Sequence, residues 1–374
     1  MNGGRQRKTI ACVAYLHGAG GAERQIVAVA NALASIGYDV HLVILASNNS
    51  FYPIDSRVTI HDVSGREQNR RSILARFAGL SKVLFNIRPD VVINYWLQSA
   101  FFCAVLPKRI RGSIVYSERG DPADKEYQGV LSLVRKLAFG RTAAFVFQTR
   151  EAQSFFPPRV QNRSAIIPNF LFVPDSEVWT KPQNRRPVIL NVGRLEPQKN
   201  QLMLIKAFSL VKKKIDSAFL SIIGSGSLEC ELKNAVKDYG LEGSVAISPP
   251  GGSVLRLMTS SSMFVLSSSY EGMPNVLLEA MAVGCPCITT DYRPLGSVAA
   301  LVNNNVDGLV VANDSPDELA SAMIRLLAED ELANSLSEQA RKIRGRHSTE
   351  RILFMWESFL KEYAFDADPT KGNL

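Results

Sequence analysis

Two glutamates whose spacing suits a ligand site lie at the start of an apolar stretch in the second half of the chain. Glu271 and Glu279 are eight residues apart, and Gly272, Pro274 and Asn275 between them are typical of a turn that opens a helix. A helix start offers amide donors and a partial positive charge, which suit a phosphate. The carboxylates before and inside the helix can accept hydrogen bonds from the hydroxyls of a sugar and a ribose. The pattern therefore indicates a nucleotide-sugar site, or else an ordinary helix with two incidental acids.

A second group of candidate residues follows a predicted buried strand. Gly193, Arg194 and Lys199 lie in the loop between that strand and a predicted helix. Arginine and lysine bind phosphate oxygens, so this pair suits the two phosphates of a leaving nucleoside diphosphate. The alternative is a surface arginine and lysine without a partner. Gly224 and Gly226 follow the next strand and indicate a tight turn, which is weak evidence by itself.

The first half of the chain has candidates at two strand ends. Gly20 and Gly21 follow the first predicted strand, and glycines there let a backbone approach a ligand closely or simply allow a tight turn. Glu118 and Arg119 follow another strand, and residues just past the carboxyl ends of parallel strands line the crevice of an α/β sheet. Both pairs are therefore predicted to line a site.

The stretch from Glu271 to Glu279 resembles the Glu-x7-Glu signature of family four, the retaining glycosyltransferases with the GT-B fold. The intervening Gly-Met-Pro-Asn-Val-Leu-Leu also matches that signature. The resemblance implies that Glu279 holds the ribose and that Glu271 meets the donor sugar. It implies that the amides opening the helix take the diphosphate. The residues to which it gives a donor-binding role at this turn are Gly272, Met273, Pro274, Asn275 and Val276.

Shorter segments extend the resemblance. Residues 191–200 are similar to the family's Gly-Arg-Leu…Lys motif, which implies that Arg194 and Lys199 hold the diphosphate and act with Glu271 in catalysis. Gly193 belongs to this motif, and residues 224–226 resemble the family's Gly-x-Gly turn beside the nucleotide. The segment Gly-Gly-Ala-Glu-Arg, which begins at Gly20, resembles the first loop of the family, on the acceptor and donor-phosphate side.

The loop from Ser117 to Pro122 resembles the Ser-Glu-Arg-Asn-Asp-Pro loop of some bacterial members of the family. Glycine stands at position 120, where asparagine is usual, and this part of the chain lacks the histidine of many relatives. Arg119 therefore either contacts an acceptor phosphate or the donor sugar, or forms an ion pair with Glu118 or Asp121. The sequence leaves these alternatives open.

The order of apolar and amphipathic segments predicts parallel sheets covered by helices. Strands are predicted at 9–15, 40–45, 91–95, 113–117, 143–147, 188–192, 218–223, 244–247, 263–266, 287–290 and 309–311. The length favours two domains, with a proline-rich boundary after residue 170. We expect an α/β GT-B fold with two Rossmann-like domains facing a cleft: an acceptor-binding domain over 1–170 and a nucleotide-sugar-binding domain over 171–349. By resemblance, the terminal helix within 350–374 crosses back to the first domain.

Positive charge is concentrated in the first half. Residues 1–170 carry 22 Lys and Arg against 11 Asp and Glu, whereas residues 171–374 carry 21 against 24. An anionic membrane surface or a lipid diphosphate is the expected partner, since no nucleic-acid-binding module is recognisable. Residues 69–88 read as a basic amphipathic helix suited to an anionic bilayer, or as a helix packed on the sheet with a solvated basic face. Its predicted apolar side consists of Ile73, Phe77, Leu80, Leu84 and Phe85. The residues predicted to extend this surface are Phe101, Phe102, Lys108, Arg109 and Arg111.

Composition excludes several other classes. Five scattered cysteines fit a reducing cytoplasm, and four separated histidines give no metal cluster, so neither a metal nor another cofactor is expected. No apolar run approaches the length of a membrane span. We therefore expect a cytoplasmic protein, peripheral at the inner face of the cell membrane.

These observations predict a metal-independent hexosyltransferase that uses a nucleotide-sugar, with a UDP-sugar preferred. The expected acceptor is a glycan or a polyprenyl-diphosphate-linked sugar in cell-surface polysaccharide assembly. A nucleotide-sugar epimerase on the same fold is one alternative, but it would need a further acid or base near the sugar. A non-catalytic nucleotide-sugar-binding protein is the other, and the joint presence of Glu271, Glu279, Arg194 and Lys199 speaks against it.

Overall fold

The computed structural model of the protein describes residues 7–18, 20–47, 51–64, 73–123, 129–180, 187–293 and 297–365. The chain divides into two compact units. The first unit consists of Met1–Phe170 together with Thr349–Leu374, and the second of Leu171–Ser348.

The first unit contains a sheet of seven parallel strands in the order β3-β2-β1-β4-β5-β6-β7. Its strands are β1 (Thr9–Leu16), β2 (Asp39–Ser47), β3 (Thr59–Asp62), β4 (Val91–Asn94), β5 (Ser113–Ser117), β6 (Ala144–Phe147) and β7 (Ser164–Ile166). Its helices are α1 (Gly21–Ser35), α2 (Ile73–Ile87), α3 (Leu97–Val105), α4 (Lys108–Arg111), α5 (Val130–Gly140), α6 (Arg150–Ser154) and α7 (Pro158–Gln161). The central strands are buried along their whole length, as expected for parallel strands covered on both faces.

The second unit contains a sheet of six parallel strands in the order β10-β9-β8-β11-β12-β13. Its strands are β8 (Val188–Val192), β9 (Phe219–Ile223), β10 (Val245–Ser248), β11 (Met263–Leu266), β12 (Cys287–Thr290) and β13 (Leu309–Val311). Its helices are α8 (Gln201–Lys214), α9 (Glu229–Asp238), α10 (Val254–Ser260), α11 (Asn275–Val283), α12 (Pro316–Ala328), α13 (Asp330–Ala340) and α14 (Ile343–Arg346). The two sheets, each interleaved with helices, confirm the predicted fold class of two parallel α/β domains.

The C-terminal helix packs against the first unit. Helix α15 (Thr349–Phe359) continues as a π-helical turn over Leu360–Phe365. Ile352, Trp356, Phe359 and Leu360 are all buried in the core that also contains β1 and α1. This segment of chain therefore completes the hydrophobic core of the first unit. Residues 366–374 of the predicted terminal segment lie outside the described residues.

The predicted basic helix differs from the one in the structure. Helix α2 begins at Ile73, and residues 69–72 of the prediction lie outside the described residues. Leu80 and Leu84 are buried, whereas Ile73 and Phe85 are more than half exposed, so the predicted apolar side does not face the core as one surface. Over the described parts of the chain, no helix is both long and apolar enough to cross a membrane.

Two residues assigned to an extension of this basic surface are buried instead. Phe102 is buried against the sheet, and Arg111 is only 7 % exposed. The guanidinium of Arg111 donates to the carbonyl oxygens of Leu106 and Gly112, at 3.1 and 2.8 Å. Arg111 therefore closes the end of α4, because its donors satisfy backbone carbonyls rather than facing an external partner.

Candidate functional site

On topology alone, the ligand site expected in the second sheet is the point where the strand order reverses. Strands β8 and β11 are neighbours, although β9 and β10 intervene in the chain. In open α/β sheets, ligands bind outside the carboxyl ends of the strands at such a point. The loop after β8 carries Arg194 and Lys199, and the loop after β11 carries Glu271.

Lys199 and Glu271 are in direct contact. The ammonium of Lys199 forms an ion pair with Oε1 of Glu271, and the side chains are only 14 % and 9 % exposed. The hydroxyl of Ser268, which is fully buried, donates to the same carboxylate oxygen at 2.7 Å. Two of the residues predicted to be catalytic, 72 positions apart, thus meet at the carboxyl edge of the sheet.

Gln198 joins Arg194 to the Glu271 loop. Its side-chain oxygen accepts a hydrogen bond of 2.9 Å from the guanidinium of Arg194, and its side-chain nitrogen donates to the carbonyl oxygen of Tyr270 at 2.9 Å. The same nitrogen lies 3.4 Å from Oε2 of Glu271. The amide orientation follows from its partners, because a guanidinium only donates and a carbonyl oxygen only accepts. Gln198 therefore sets the distance between the two loops.

The Glu271 loop is also fixed from its other side. The backbone N–H of Glu271 donates to the carbonyl oxygen of Arg293 at 2.9 Å, and the N–H of Arg293 donates to the carbonyl oxygen of Ser269 at 3.2 Å. The hydroxyl of Thr290, at the end of β12, donates to the carbonyl oxygen of Ser268 at 2.6 Å. Loops after three adjacent strands thus hold the carboxylate in one position.

Gly224 and Gly226 allow two loops to pack backbone against backbone. A Cβ atom on Gly224 would overlap the carbonyl oxygen of Gly193, and one on Gly226 would overlap that of Leu195. The N–H of Leu195 donates to the carbonyl oxygen of Ser225 at 2.9 Å, which fixes this approach. A side chain at either glycine would prevent this close packing, which positions the loop that carries Arg194 and Lys199.

Gly193 lies directly beneath the stem of Lys199. A Cβ atom on Gly193 would be 3.4 Å from both Cδ and Cε of that lysine. The hydroxyl of Ser267 donates to the carbonyl oxygen of Lys199 at 2.8 Å. The contact of the stem with Gly193 and the hydrogen bond from Ser267 orient the ammonium toward Glu271.

Helix α11 begins directly after the Glu271 loop. Pro274 is its N-cap residue with an extended backbone, and the helix runs through nine residues to the left-handed Gly284. Met273 and Pro274 are buried, whereas Gly272, Asn275, Val276 and Glu279 are half-buried. The first amides of a helix have no acceptor within it, so this helix start suits an anion, and Glu279 lies one turn further along.

In the first unit, the predicted glycines lie where β1 adjoins β4, at the reversal of strand order in that sheet. Gly20 is the N-cap residue of α1, which begins at Gly21. The carboxylate of Glu23 accepts hydrogen bonds from the amides of His17 and Gly18, at 3.0 and 2.9 Å. Glu23 thus holds the two residues that directly follow β1.

The guanidinium of Arg119 is held by neutral side chains. It donates to Oδ1 of Asn169 at 2.7 Å and to the hydroxyl of Tyr95 at 3.0 Å, and its Cζ lies 4.4 Å from the centre of the Tyr95 ring. Among the described residues, its guanidinium lies within ion-pair distance of neither Glu118 nor Asp121, although the charge of Glu118 attracts it. Burial lowers the pKa of the guanidinium. Its Nε is buried without a hydrogen-bond partner.

Glu118 is buried beneath this arginine. Its Oε1 accepts from the backbone amides of Arg119 and Gly120, at 3.1 and 3.2 Å, and Tyr116 donates to Oε2 at 3.4 Å. Burial raises the pKa of the carboxyl, and these hydrogen bonds oppose the rise. Glu118 is 2 % exposed, so its role is to shape the loop that presents Arg119.

Sequence reasoning missed the residues that position the predicted ones. Tyr95 directly follows β4 at the reversal of strand order, so the strand-end rule could have found it. Ser268, Gln198 and Asn169 carry no comparable signal, because their hydrogen bonds join loops that are distant in the chain. Within the described residues, no group of three or more His, Cys, Asp or Glu side chains is arranged to hold a metal ion.

Comparison with known proteins identifies the family of the chain. A model of the glycosyl transferases group 1 matches residues 175–343, and a model of glycosyltransferase family 4 matches residues 19–171. Together they cover both units, and the chain belongs to this family of GT-B glycosyltransferases. The match of the second model to the first unit identifies the whole chain, rather than the second unit alone, as a member.

Two relatives and one solved structure span nearly the whole chain. The amylovoran biosynthesis glycosyltransferase AmsD of Erwinia amylovora is 24 % identical, covering 94 % of this chain and 99 % of its own. A Campylobacter jejuni N-acetylgalactosaminyltransferase named for a diphospho-undecaprenol-linked acceptor is 24 % identical, covering 89 % and 94 %. The structure of Anabaena Alr3699/HepE with UDP and glucose is 17 % identical with a TM-score of 0.80, covering 94 % and 99 %. The last similarity confirms the GT-B fold.

Proposed function

We propose that the protein transfers a hexose from a UDP-sugar to a glycan or a polyprenyl-diphosphate-linked acceptor, with retention of the anomeric configuration. The contact of Lys199 with Glu271, beside Arg194 and before helix α11, is the observation that carries this proposal. It supplies cations for a diphosphate and a carboxylate for sugar hydroxyls at one sheet edge. The names of AmsD and of the Campylobacter relative support a role in cell-surface polysaccharide or lipid-linked oligosaccharide assembly.

In this reaction the bond between the anomeric carbon and the diphosphate breaks, and negative charge grows on the leaving phosphate oxygen. Arg194, Lys199 and the first amides of α11 stabilise that charge, so no metal ion is required. The acceptor hydroxyl attacks from the side the diphosphate leaves, and the leaving phosphate oxygen takes its proton. Glu279 binds the ribose, and Glu271 orients the sugar. UDP is the preferred nucleotide, in keeping with the ligand of the Anabaena neighbour.

Arg119 is the residue we assign to the anionic part of the acceptor. Its guanidinium is oriented by Tyr95 and Asn169, and one of its nitrogen atoms has no partner. A largely buried cation held by neutral groups favours an anionic ligand, because its desolvation is then compensated. The diphosphate of a lipid-linked acceptor has this chemistry.

We further propose that the first unit binds the anionic inner face of the cell membrane, where such an acceptor would be found. Lys82 in helix α2 and Arg88, the residue directly after it, are exposed. The apolar side chains of Ile73, Leu74 and Phe85 in the same helix are also exposed. Exposed cations beside apolar side chains are attracted to anionic headgroups and to the acyl boundary.

Transfer assays with purified protein test the proposal. A panel of nucleotide-sugars is offered with a synthetic polyprenyl-diphosphate-linked sugar, and product is measured by mass spectrometry and by the anomeric coupling in its NMR spectrum. We expect Lys199→Ala to reduce kcat by about 100-fold or more, in line with the loss of one transition-state donor. Glu279→Ala should also abolish most of the transfer, because it removes the carboxylate that accepts hydrogen bonds from the ribose hydroxyls. EDTA should leave the rate unchanged.

Lys213→Ala is the matched control, because Lys213 is an exposed lysine of helix α8 in the same unit. It should keep the wild-type rate, and all variants should keep the wild-type circular dichroism. Near-normal turnover in both site variants would reject the site. Inactivation by EDTA with recovery on adding magnesium or manganese would reject the metal-free scheme.

A further inference from the structure

The ion pair between Lys199 and Glu271 has an electrostatic consequence for ligand binding. The cation that would hold a diphosphate is already in contact with a carboxylate. An incoming diphosphate must therefore share Lys199 with Glu271 and approach a like charge within a few ångströms. A like charge at this distance disfavours the charged form of the second anion.

We propose that Glu271 is an internal counterion of Lys199 that makes the site discriminate the intact nucleotide-sugar from the nucleoside diphosphate left after transfer. The proposal rests on the proposed function, in which Lys199 holds the diphosphate. Glu271 thereby promotes the release of the product, in addition to any contact it makes with the sugar.

The discrimination follows from what each ligand offers the carboxylate. The sugar of an intact donor presents hydroxyl groups that donate hydrogen bonds to the oxygens of Glu271, which offsets the repulsion between carboxylate and phosphates. The nucleoside diphosphate lacks those hydroxyls and bears one more ionisable phosphate oxygen. The repulsion is then uncompensated, so Glu271 weakens the binding of the product more than that of the donor.

Hydrogen bonds to Glu271 and to its loop oppose rotation of the carboxylate away from the ligand. Its Oε1 accepts from the buried hydroxyl of Ser268 at 2.7 Å, and its backbone N–H is bonded to Arg293. Ser268 is in turn held by the hydroxyl of Thr290. Since Ser268 and Thr290 are both fully buried, the negative charge remains beside Lys199 when a ligand binds.

Glu196 provides a matched comparison in the same loop. Its carboxylate accepts from the amide and the hydroxyl of Ser227, at 2.9 and 2.8 Å, and the residue is only partly buried. Hydrogen bonds to Ser227 compensate its charge, and water screens it. Removing this charge should therefore change the affinity for a diphosphate much less than removing the charge of Glu271.

Isothermal titration of UDP, GDP, UDP-glucose, UDP-N-acetylglucosamine and GDP-mannose, without acceptor, tests the proposal on the full-length protein. We expect Glu271→Gln and Glu271→Ala to bind the nucleoside diphosphate favoured by the wild type at least about fivefold more tightly. The affinity for the matching nucleotide-sugar should rise less or fall. Glu196→Gln should stay within about twofold of the wild type. Both variants remove the charge of Glu271, but only the glutamine variant keeps the shape of the side chain. Either variant therefore decides the outcome, provided that it folds.

Unchanged or weaker binding of the diphosphate by a folded Glu271 variant would overturn the proposal. Lys199→Ala separates this failure from a failure of the proposed function. If Lys199→Ala weakens diphosphate binding and the Glu271 variants do not strengthen it, only the counterion role is wrong. If Lys199→Ala binds as tightly as the wild type, or the wild type binds neither diphosphate, the site itself is wrong.

Discussion

At the scale of single residues, Gln198 shows how an uncharged side chain can position charged ones. Its amide bonds the Arg194 guanidinium on one side and the Tyr270 carbonyl on the other, and it lies beside Glu271. Hydrogen bonds to charged groups contribute about 1.5–3 kcal/mol each. We therefore expect Gln198→Ala to lower kcat/KM for the nucleotide-sugar by about 10- to 100-fold, mostly through kcat.

Gln198→Glu should be the more damaging change at this position. Its carboxylate would form an ion pair with Arg194 and draw that cation away from the diphosphate, and it would repel Glu271. Steady-state kinetics over a range of donor concentrations measures both effects. Gln339→Ala, on helix α13 of the same unit, is the control and should stay within twofold of the wild type. Wild-type kinetics in Gln198→Glu would show that Gln198 positions neither group.

The site residues that could be predicted from the sequence differ physically from those that only the structure identifies. Glu271, Glu279, Arg194 and Lys199 were recognisable because their charge and spacing are visible along the chain. Ser268 and Asn169 act through hydrogen bonds whose partners are set by the packing of separate loops. Ser268 is a serine among several, and only its contact with Glu271 distinguishes it. Residue type alone therefore could not identify the residues that hold the predicted site residues in position.

At the scale of elements, the two strands that sequence reasoning missed lie at the two edges of the first sheet. All eleven predicted strands are present, within two residues at either end, but β3 and β7 were not predicted. Three of the four residues of β3 are exposed, and all three of β7 are only half-buried. An edge strand in such a setting does not need a continuous apolar run, which is the signal that identified the buried strands.

Helix α2 is the element on which the membrane proposal can be tested. Reversing the charges of Lys82 and Arg88 should weaken binding to vesicles with anionic lipid by at least tenfold, because each cation near such a surface contributes about 1 kcal/mol. Co-sedimentation with anionic and neutral vesicles, at low and at high salt, measures the change. Lys213→Glu on helix α8 of the second unit is the matched control. Equal binding of the wild type to anionic and neutral vesicles at low salt would contradict the electrostatic attraction.

At the scale of the whole molecule, each unit has its own hydrophobic core. The core of the first unit includes Trp356, which is fully buried on a helix that follows the second unit in the chain. Amphipathic spacing in the last helix is visible in the sequence, but the surface on which it packs is not. The resemblance to a family, rather than the pattern, suggested that the helix returns to the first domain.

This arrangement predicts that a change near the C-terminus destabilises the N-terminal unit. Trp356→Ala should lower the free energy of unfolding of the first unit by about 3–5 kcal/mol, since it leaves a large cavity in a packed core. Phe354→Ala, on the same helix but 68 % exposed, should change it by less than about 0.5 kcal/mol. Differential scanning calorimetry with and without UDP measures both, because the proposed binding of UDP to the second unit raises the transition of that unit. We expect Trp356→Ala to lower the melting temperature of the transition that does not respond to UDP, which is that of the first unit. A melting profile identical to the wild type would contradict the role of this helix in the core of the first unit.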